Sequence, residues 1–409
     1  MVSASQSSMS DVPAPSALYA QAGRSALTVF FLSGMLMSFP GAILPAWGYH
    51  LKDDFMVVGY YFLAMGLGIL ISVKAGSLLL AWKDVRTALT CSAGLAGFSF
   101  LWLAFTSPPS HWLWRVAGLM LMGTSAGLLN SAAFQSISTF YEQDKAATVN
   151  LAGVMFGLGC LATALLVSTT FYVYTVGSML LLMGLVPGFA AGLYWRARFP
   201  VPVHHSKQPW REVWADVKSP GAVMFSLLLF FQFGNEWTVA GWLTIFLVQR
   251  VGVSPDSSLL MLASFWFSLL AGRIVAQALL PRVGHGKLLM ASATSALFGC
   301  LILIATNNQF GAWIGLLLLG SGFAMIYPLV VEKIGHRFPN YHPGFFNGIF
   351  SFGITGGLLA PCLVGLLAQD FGIWVVMALP LIGTFMVFLL LLLLWVEAIL
   401  SASGTGLQS

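Results

Sequence analysis

One short stretch of this 409-residue sequence places three hydrogen-bonding side chains in an otherwise apolar run. Gln232, Asn235 and Glu236 lie within five residues of one another, with apolar residues before and after them. An ionisable side chain at the centre of a bilayer costs about 2.5–3.5 kcal/mol on insertion scales, so such residues usually serve a function. Because a carboxyl group in a low-dielectric environment binds a proton more readily than in water, Glu236 is the candidate for proton coupling. The alternative is a protonated or paired packing residue.

The spacing of these residues places them on one side of a helix. At about 100° per residue, Gln232, Asn235, Glu236 and Trp242 share one arc, and Trp237 points away from it. We predict that this arc contacts a solute, with the amides bonding to hydroxyl groups and the Trp242 ring lying against C–H groups. Trp237 is predicted to be a packing residue. For Trp242 the alternative is aromatic packing.

Four further polar side chains inside apolar segments are candidates for the same site. They are Asn130, Asn150, Asn347 and Tyr327. Each asparagine either faces the solute or joins two helices, because amides also hold helices together in a membrane. Tyr327 precedes Pro328, and a proline-broken turn can direct a hydroxyl group into a cavity.

Three charged residues are candidates for a gate. Lys74 and Arg273 lie toward the ends of their apolar segments, where long basic side chains commonly extend to the membrane surface. The sharper hypothesis is an inner gate, in which Lys74 and Arg273 pair with Asp84, Glu332 or helix C-termini when the cavity faces outward.

The composition indicates a chain that lies in lipid. Hydrophobic residues make up 58% and charged residues 8%, and the mean hydropathy is +0.87, whereas soluble domains are about 25% charged. The net charge of +5 is dispersed, which argues against nucleic acid. The four cysteines are single, so no disulfide, metal site or cofactor is expected. Clustered catalytic side chains are lacking, so we predict that the protein is not an enzyme. The loops are too short to hold a soluble sensor domain.

Apolar segments of about 20 residues predict twelve membrane-spanning helices. The predicted spans are 25–46, 55–80, 87–106, 112–139, 146–169, 172–195, 220–248, 257–280, 288–307, 310–333, 344–368 and 372–399. Most lysines and arginines fall in loops on the side of the N-terminus, which predicts cytoplasmic termini by the positive-inside rule. The predicted domains are a disordered tail (1–23), a six-helix half (24–195), a cytoplasmic linker (196–219), a second half (220–399) and a tail (400–409).

The two halves resemble each other in sequence. "FFLSG" at 30–34 parallels "FFQFG" at 230–234, and "GLMLMGTSAG" at 118–127 parallels "GLLLLGSGFA" at 315–324. Asn150 before "FGLG" parallels Asn347 before "FGITG". Matches in the same order at a nearly constant offset predict an all-α membrane protein built from two pseudo-symmetric six-helix bundles.

These motifs resemble the major facilitator superfamily and, within it, the fucose/glucose–galactose permease branch. The residues that carry the narrower resemblance are "GNEWTVAGW" at 234–242, "VNLAGVMFGLG" at 149–159, "LAGRIVAQALLPRVG" at 270–284 and "AMIYP" at 324–328. The resemblance implies a solute site at the midplane between the halves and sugar–proton symport. The acids that the branch carries in spans 1 and 4 are lacking here, which leaves Glu236 as the coupling candidate.

Together these features predict a secondary transporter that works by alternating access. We expect a monomer in the cell inner membrane that moves a small polar solute, a monosaccharide above all. A proton gradient is the expected driving force, with sodium as an alternative ion. The alternatives are an antiporter that exports drugs or other organic solutes, and an uncoupled facilitator.

Overall fold

The computed structural model describes residues 15–143, 145–197, 199, 219–337 and 343–405, and in these ranges the chain is helical with no strand. Twelve α-helices lie in the described chain. They are α1 (Pro15–Ile43), α2 (Phe55–Trp82), α3 (Val85–Thr106), α4 (Trp112–Gln143), α5 (Lys145–Thr170), α6 (Val176–Arg196), α7 (Pro220–Phe246), α8 (Pro255–Val283), α9 (His285–Ala305), α10 (Gln309–Arg337), α11 (Pro343–Phe371) and α12 (Val375–Thr405). The predicted fold class, an all-α membrane protein, is confirmed.

Eleven of these helices are long and apolar enough to cross a membrane, counted over the described residues. The exception is α7, which has 27 residues and therefore sufficient length. Its mean hydropathy is lowered by Gln232, Asn235 and Glu236. The sequence predicted twelve spans, and by length and composition alone α7 falls short because it carries the polar cluster.

The helices pack in the same pairs in each half of the chain. In the first half (α1–α6), α1 packs on α5, α2 on α4, and α3 on both α4 and α6. In the second half (α7–α12), α7 packs on α11, α8 on α10, and α9 on both α10 and α12. The halves meet through α2 with α11, α5 with α8, and α1 with α7. This repeated pairing follows from the sequence repeat.

The halves are closed against each other at one end, the distal end, where α1 and α7 finish and α2 begins. A Cβ atom on Gly41 would lie 2.0 Å from the carbonyl oxygen of Ala240, and one on Gly365 would lie 2.5 Å from the Cα of Gly59. The Thr244 hydroxyl also donates to the carbonyl of Gly41 over 2.9 Å. Glycine thus permits backbone contact between the halves. The opposite end, where α1 begins, is the terminal end.

Both outer helices extend beyond the predicted spans. Helix α1 begins at Pro15, within the predicted tail over 1–23, and α12 continues to Thr405, within the predicted tail over 400–409. Proline is tolerated in the first turn of a helix, and the alanine, leucine and glutamine that follow Pro15 favour helix. The predicted tails therefore overlap these helix ends, and their remaining residues lie outside the described chain.

Candidate functional site

Helix α7 holds the polar cluster and touches both halves. Its start is fixed by Ser219, whose hydroxyl accepts a hydrogen bond from the N–H of Ala222, and by Pro220 in the first turn. Such a cap satisfies one of the free N–H groups at a helix start. From there α7 runs between α11 and α12 of its own half and reaches α1 at the distal end.

Glu236 is buried near the middle of α7. Its side chain is 7% exposed and Gln232, one turn earlier, is fully buried. The Gln232 amide lies against the Glu236 carboxyl, and the charge of Arg273 on α8 acts on that carboxyl. The Glu236 charge in turn reaches the Cys160 thiol on α5. Glu236 therefore lies where α7 and α8 of the second half approach α5 of the first.

Several hydrogen-bonding atoms of α7 and α8 are buried and have no hydrogen-bond partner in the described chain. They are both amide atoms of Gln232, which lie near the Glu236 carboxyl without meeting hydrogen-bond geometry, and, on α8, Nε1 of Trp266 and Nε of Arg273. Buried polar atoms nearly always have a partner, because leaving one unsatisfied costs about 1–3 kcal/mol. Unsatisfied atoms on two neighbouring helices indicate a place where a ligand or water supplies the missing bonds.

The side of α7 that meets the first half differs from the predicted arc. Ala240, Gly241 and Thr244 contact α1 or α2. Trp237, predicted to point away, packs on Phe156 of α5 with a centroid distance of 6.1 Å. It also lines a cavity of about 30 Å³ between α1, α2, α7 and α11. The ring contact of Trp237 is that of a packing residue, and it lies on the side of α7 that meets the first half, which a helical wheel cannot assign because it gives relative angles only.

Asn235 and Trp242, predicted to contact solute, are engaged with other helices. The Asn235 amide donates to Thr384 on α12 over 3.2 Å. The Trp242 indole N–H donates to the carbonyl of Pro361 on α11 over 2.9 Å. The Trp242 ring packs on Phe62 of α2 and is fully buried. In this conformation both residues connect neighbouring helices. Helix–helix contact is the alternative role given above for the amides and for Trp242.

The remaining predicted solute residues lie in different surroundings. Asn130 on α4 accepts a hydrogen bond from the Ser33 hydroxyl on α1 over 2.7 Å, which joins two helices of the first half. Tyr327 packs its ring on Phe233 of α7 over 5.4 Å. Asn150 and Asn347 lie in α5 and α11, but their side chains lie outside the described part of the chain.

The predicted gate residues are dispersed. Lys74 is exposed, and Asp84 caps α3 by accepting a hydrogen bond from the N–H of Thr87 over 3.0 Å. Hydrogen bonds from the side chain and backbone of Thr87 lower the pKa of the Asp84 carboxyl. Glu332 pairs with His285 over 2.6 Å. Arg273 is half-buried beside α5, and its charge acts on Glu236. The gate pairing, which concerns an outward-facing cavity, stays a prediction.

Sequence reasoning missed two aromatic residues of this site and gave Arg273 a different role. Trp237 and Trp266 pack on each other with a centroid distance of 6.2 Å. Both are tryptophans within apolar segments, where aromatic residues are common, so composition offered no signal. The pairing of α7 with α8 brings them together.

Comparison with known proteins agrees with this architecture. Among named relatives, a glucose/galactose transporter of Brucella abortus is 26% identical over 162 residues, which are 39% of this chain and 39% of that protein. The chain therefore matches about two fifths of the length of this relative. Among solved structures, the nucleoside transporter NupG gives a TM-score of 0.66 at 13% identity, over 92% of this chain and 97% of that one. The transporter FucP in its outward conformation gives 0.60 at 16% identity, over 91% and 98%.

The broadest match is to a family profile. The profile of the Major Facilitator Superfamily matches residues 26–357, which include α2–α10 and most of α1 and α11. The repeated helix pairing and the contacts between the two halves agree with this family match. The chain belongs to the major facilitator superfamily and is a multi-pass membrane protein.

Proposed function

We propose that this transporter carries a monosaccharide across the cell inner membrane by alternating access, coupled to protons through Glu236. The observation that carries the proposal is the buried, unsatisfied amide of Gln232 beside the Glu236 carboxyl, where the second half meets α5 of the first. An amide and a carboxyl group together offer donors and acceptors to sugar hydroxyl groups. The names of the glucose/galactose relatives give further support.

The aromatic residues of the site support a sugar. The rings of Trp237 on α7 and Trp266 on α8 pack on each other, and an indole ring can cover the apolar C–H face of a pyranose while amides bond to its edge. We propose that Trp237, and not Trp242, lies against the C–H groups of the sugar. The cavity beside Trp237 holds about 30 Å³, room for water only. A hexose therefore requires the halves to separate.

The closed distal end supports alternating access. Backbone contacts at Gly41 and Gly365 join the halves on one side of the site, and a carrier of this kind must break them to admit solute from that side. We propose cytoplasmic N- and C-termini, from the positive-inside rule, so that the distal end faces outward. The carrier is proposed to be a monomer.

Uptake into proteoliposomes tests this function. We expect accumulation of at least one radiolabelled hexose from a panel when a proton gradient is imposed, and none above equilibrium without it. Accumulation driven only by a sodium gradient would assign sodium as the coupling ion. Equilibration without accumulation under either gradient would indicate a facilitator.

The second candidate function is export of an apolar organic solute. The observation that favours it is the apolar lining of the central cavity, in which Met37, Phe62, Met65 and Ile69 face Trp237. Vesicles preloaded with lipophilic cations would then release them in exchange for protons, and no hexose would accumulate. The same preparation therefore separates the two functions.

A further inference from the structure

We propose that Arg273 and Trp266 of α8 are solute-binding residues, and that with Gln232 and Glu236 they hold neighbouring hydroxyl groups of a neutral polyol. This inference rests on the proposed function and names the solute groups that the site recognises. It also gives Arg273 a role other than the predicted gate. Neither Trp266 nor its N–H group was among the predicted site residues.

The position of Arg273 is the first observation. Its side chain is half-buried and crosses from α8 to α5, where its Nη1 atom lies 2.7 Å from the point that a Cβ on Gly153 would occupy. A Cβ at that position would require the guanidinium group to shift. A basic side chain that extended to the membrane surface would instead have its polar atoms in water, whereas Nε of Arg273 is buried without a partner.

The missing salt bridge is the second observation. The charge of Arg273 acts on Glu236, yet among the described residues no ion pair within 4.0 Å joins the two. Two buried opposite charges are stable together only when they are in contact or when other groups satisfy them. A solute that bridges carboxyl and guanidinium would satisfy both groups, and the halves must separate to admit it.

The kinds of unsatisfied atoms decide the class of ligand. Trp266 Nε1, Arg273 Nε and the Gln232 amide nitrogen are donors, whereas the Gln232 amide oxygen is an acceptor, as is the Glu236 carboxylate. A hydroxyl group both donates and accepts, so neighbouring hydroxyls can satisfy both kinds. A carboxylate ligand only accepts, which would leave the Gln232 oxygen unsatisfied and place a negative charge beside Glu236.

The tryptophan pair sets where the hydroxyl groups lie. Trp266 is 1% exposed and its ring packs on that of Trp237. Trp237 also packs on Phe156 of α5. With both rings fixed, the Trp266 N–H has a defined direction, which makes it specific for one hydroxyl of the solute.

Equilibrium binding of radiolabelled hexose to the purified full-length transporter tests the inference. Trp266→Phe keeps an aromatic ring and removes only the N–H, and Arg273→Gln removes the charge. We expect each to weaken binding about tenfold or more, the effect of one unsatisfied buried partner. The matched controls are Trp102→Phe, whose N–H donates to the Trp114 carbonyl, and Arg86→Gln, whose guanidinium lies over the Trp195 ring. Both controls should bind as wild type does.

Monodeoxy analogues of the same hexose give a second measurement. Wild type should bind one analogue about tenfold more weakly than the parent sugar, and Trp266→Phe should bind that analogue and the parent equally, because the hydrogen bond is already lost. Circular dichroism melts of each variant establish that it is folded. The conservative Trp266→Phe variant keeps the test decisive if Arg273→Gln does not fold.

The outcomes separate this inference from the proposed function. Wild-type affinity of both variants for the parent sugar and every analogue would overturn the inference and leave monosaccharide transport standing. Tighter binding of a hexuronate than of the hexose, lost in Arg273→Gln, would overturn the neutral class and indicate an anion site. A wild-type protein that neither binds nor accumulates any monosaccharide would overturn both proposals.

Discussion

Glu236 is the residue on which energy coupling depends in the proposed mechanism. Protonated, it can cross a dry closed state at modest cost, whereas ionised and without a partner it favours a conformation open to water. We expect Glu236→Gln to abolish proton-driven accumulation of the hexose. Because an amide resembles the protonated acid, the variant should still bind the hexose and exchange it across the membrane. Counterflow in proteoliposomes at matched pH measures that exchange.

Two other results would change the role of Glu236. Full proton-driven accumulation by Glu236→Gln would place coupling at another residue. Loss of both hexose binding and hexose exchange would make Glu236 a ligand of the solute and not only a proton carrier. Gln232→Ala provides a comparison at the same helix surface, and it should weaken binding without removing the dependence on the gradient.

Variants of Asp84 distinguish a helix-capping role of its carboxylate from a role in the predicted inner gate. Its carboxylate accepts the N–H of Thr87 at the start of α3, and loss of such a cap costs about 1 kcal/mol. We expect Asp84→Asn, which keeps a capping side chain, to transport and melt like wild type. Asp84→Ala should lower the melting temperature by about 2 °C. Slower transport by Asp84→Asn at unchanged stability would instead support the predicted inner gate.

The same carboxylate has a defined pH dependence. The pKa of Asp84 is lowered in the folded protein, so its stabilising contribution is present above the unfolded pKa and is lost as the pH falls through the folded one. The difference in melting temperature between wild type and Asp84→Ala should therefore be constant near neutral pH and shrink in acid. A melting-temperature difference that grows in acid would contradict a capping role for the Asp84 carboxylate.

At the scale of helices, hydropathy was a reliable guide to position along the chain. Helix α8 was predicted over 257–280 and runs Pro255–Val283, since lipid requires long apolar segments whose backbone is satisfied internally. Sequence could not assign the sides of α7. Both Trp237 and Trp242 lie on apolar turns, and only the tertiary packing decides that one lines the cavity and the other bonds to Pro361.

Sequence could identify residues of the candidate site, but not the contacts that those residues make with other helices. The cost of an acid in an apolar segment singled out Glu236 and Gln232, which the structure keeps close together. Arg273 lies 37 positions after Glu236, and its guanidinium group contacts α5 beside Gly153. No pattern within α8 indicates that contact. Asn150 and Asn347 stay predictions.

The crossing of α1 and α7 controls how firmly the distal end closes. Because a Cβ on Gly41 would lie 2.0 Å from the Ala240 carbonyl, Gly41→Ala must push the two helices apart. We expect the distal end to open more often, with a longer distance between spin labels at Leu51 and Trp374, which are 79% and 51% exposed. Pulsed electron paramagnetic resonance on a variant without native cysteines measures this distance.

Gly94→Ala is the matched control for this change. Gly94 has no atom within 4 Å of an added Cβ, so the same substitution there should leave the label distance as in wild type. An unchanged distance in Gly41→Ala would mean that the α1–α7 contact does not hold the distal end closed. Contacts such as the Met56 N–H with the Gln369 amide oxygen would then be the ones to test.

For the whole molecule, the number of crossings depends on α7, the one long helix of the described chain that is not apolar enough by composition. If α7 crosses, six helices separate the loop at Leu51 from the loop at Arg250, and both lie on one side of the membrane. If α7 does not cross, they lie on opposite sides.

In intact cells expressing single-cysteine variants, we expect an impermeant maleimide to label Leu51→Cys and Arg250→Cys alike, because lipid tolerates Glu236 when neighbouring helices cover it. Trp82→Cys, at the terminal end and 83% exposed, should label only after the membrane is permeabilised. Labelling of Leu51→Cys without Arg250→Cys would reduce the count to eleven, and labelling of Trp82→Cys alone in intact cells would reverse the proposed orientation while keeping twelve crossings.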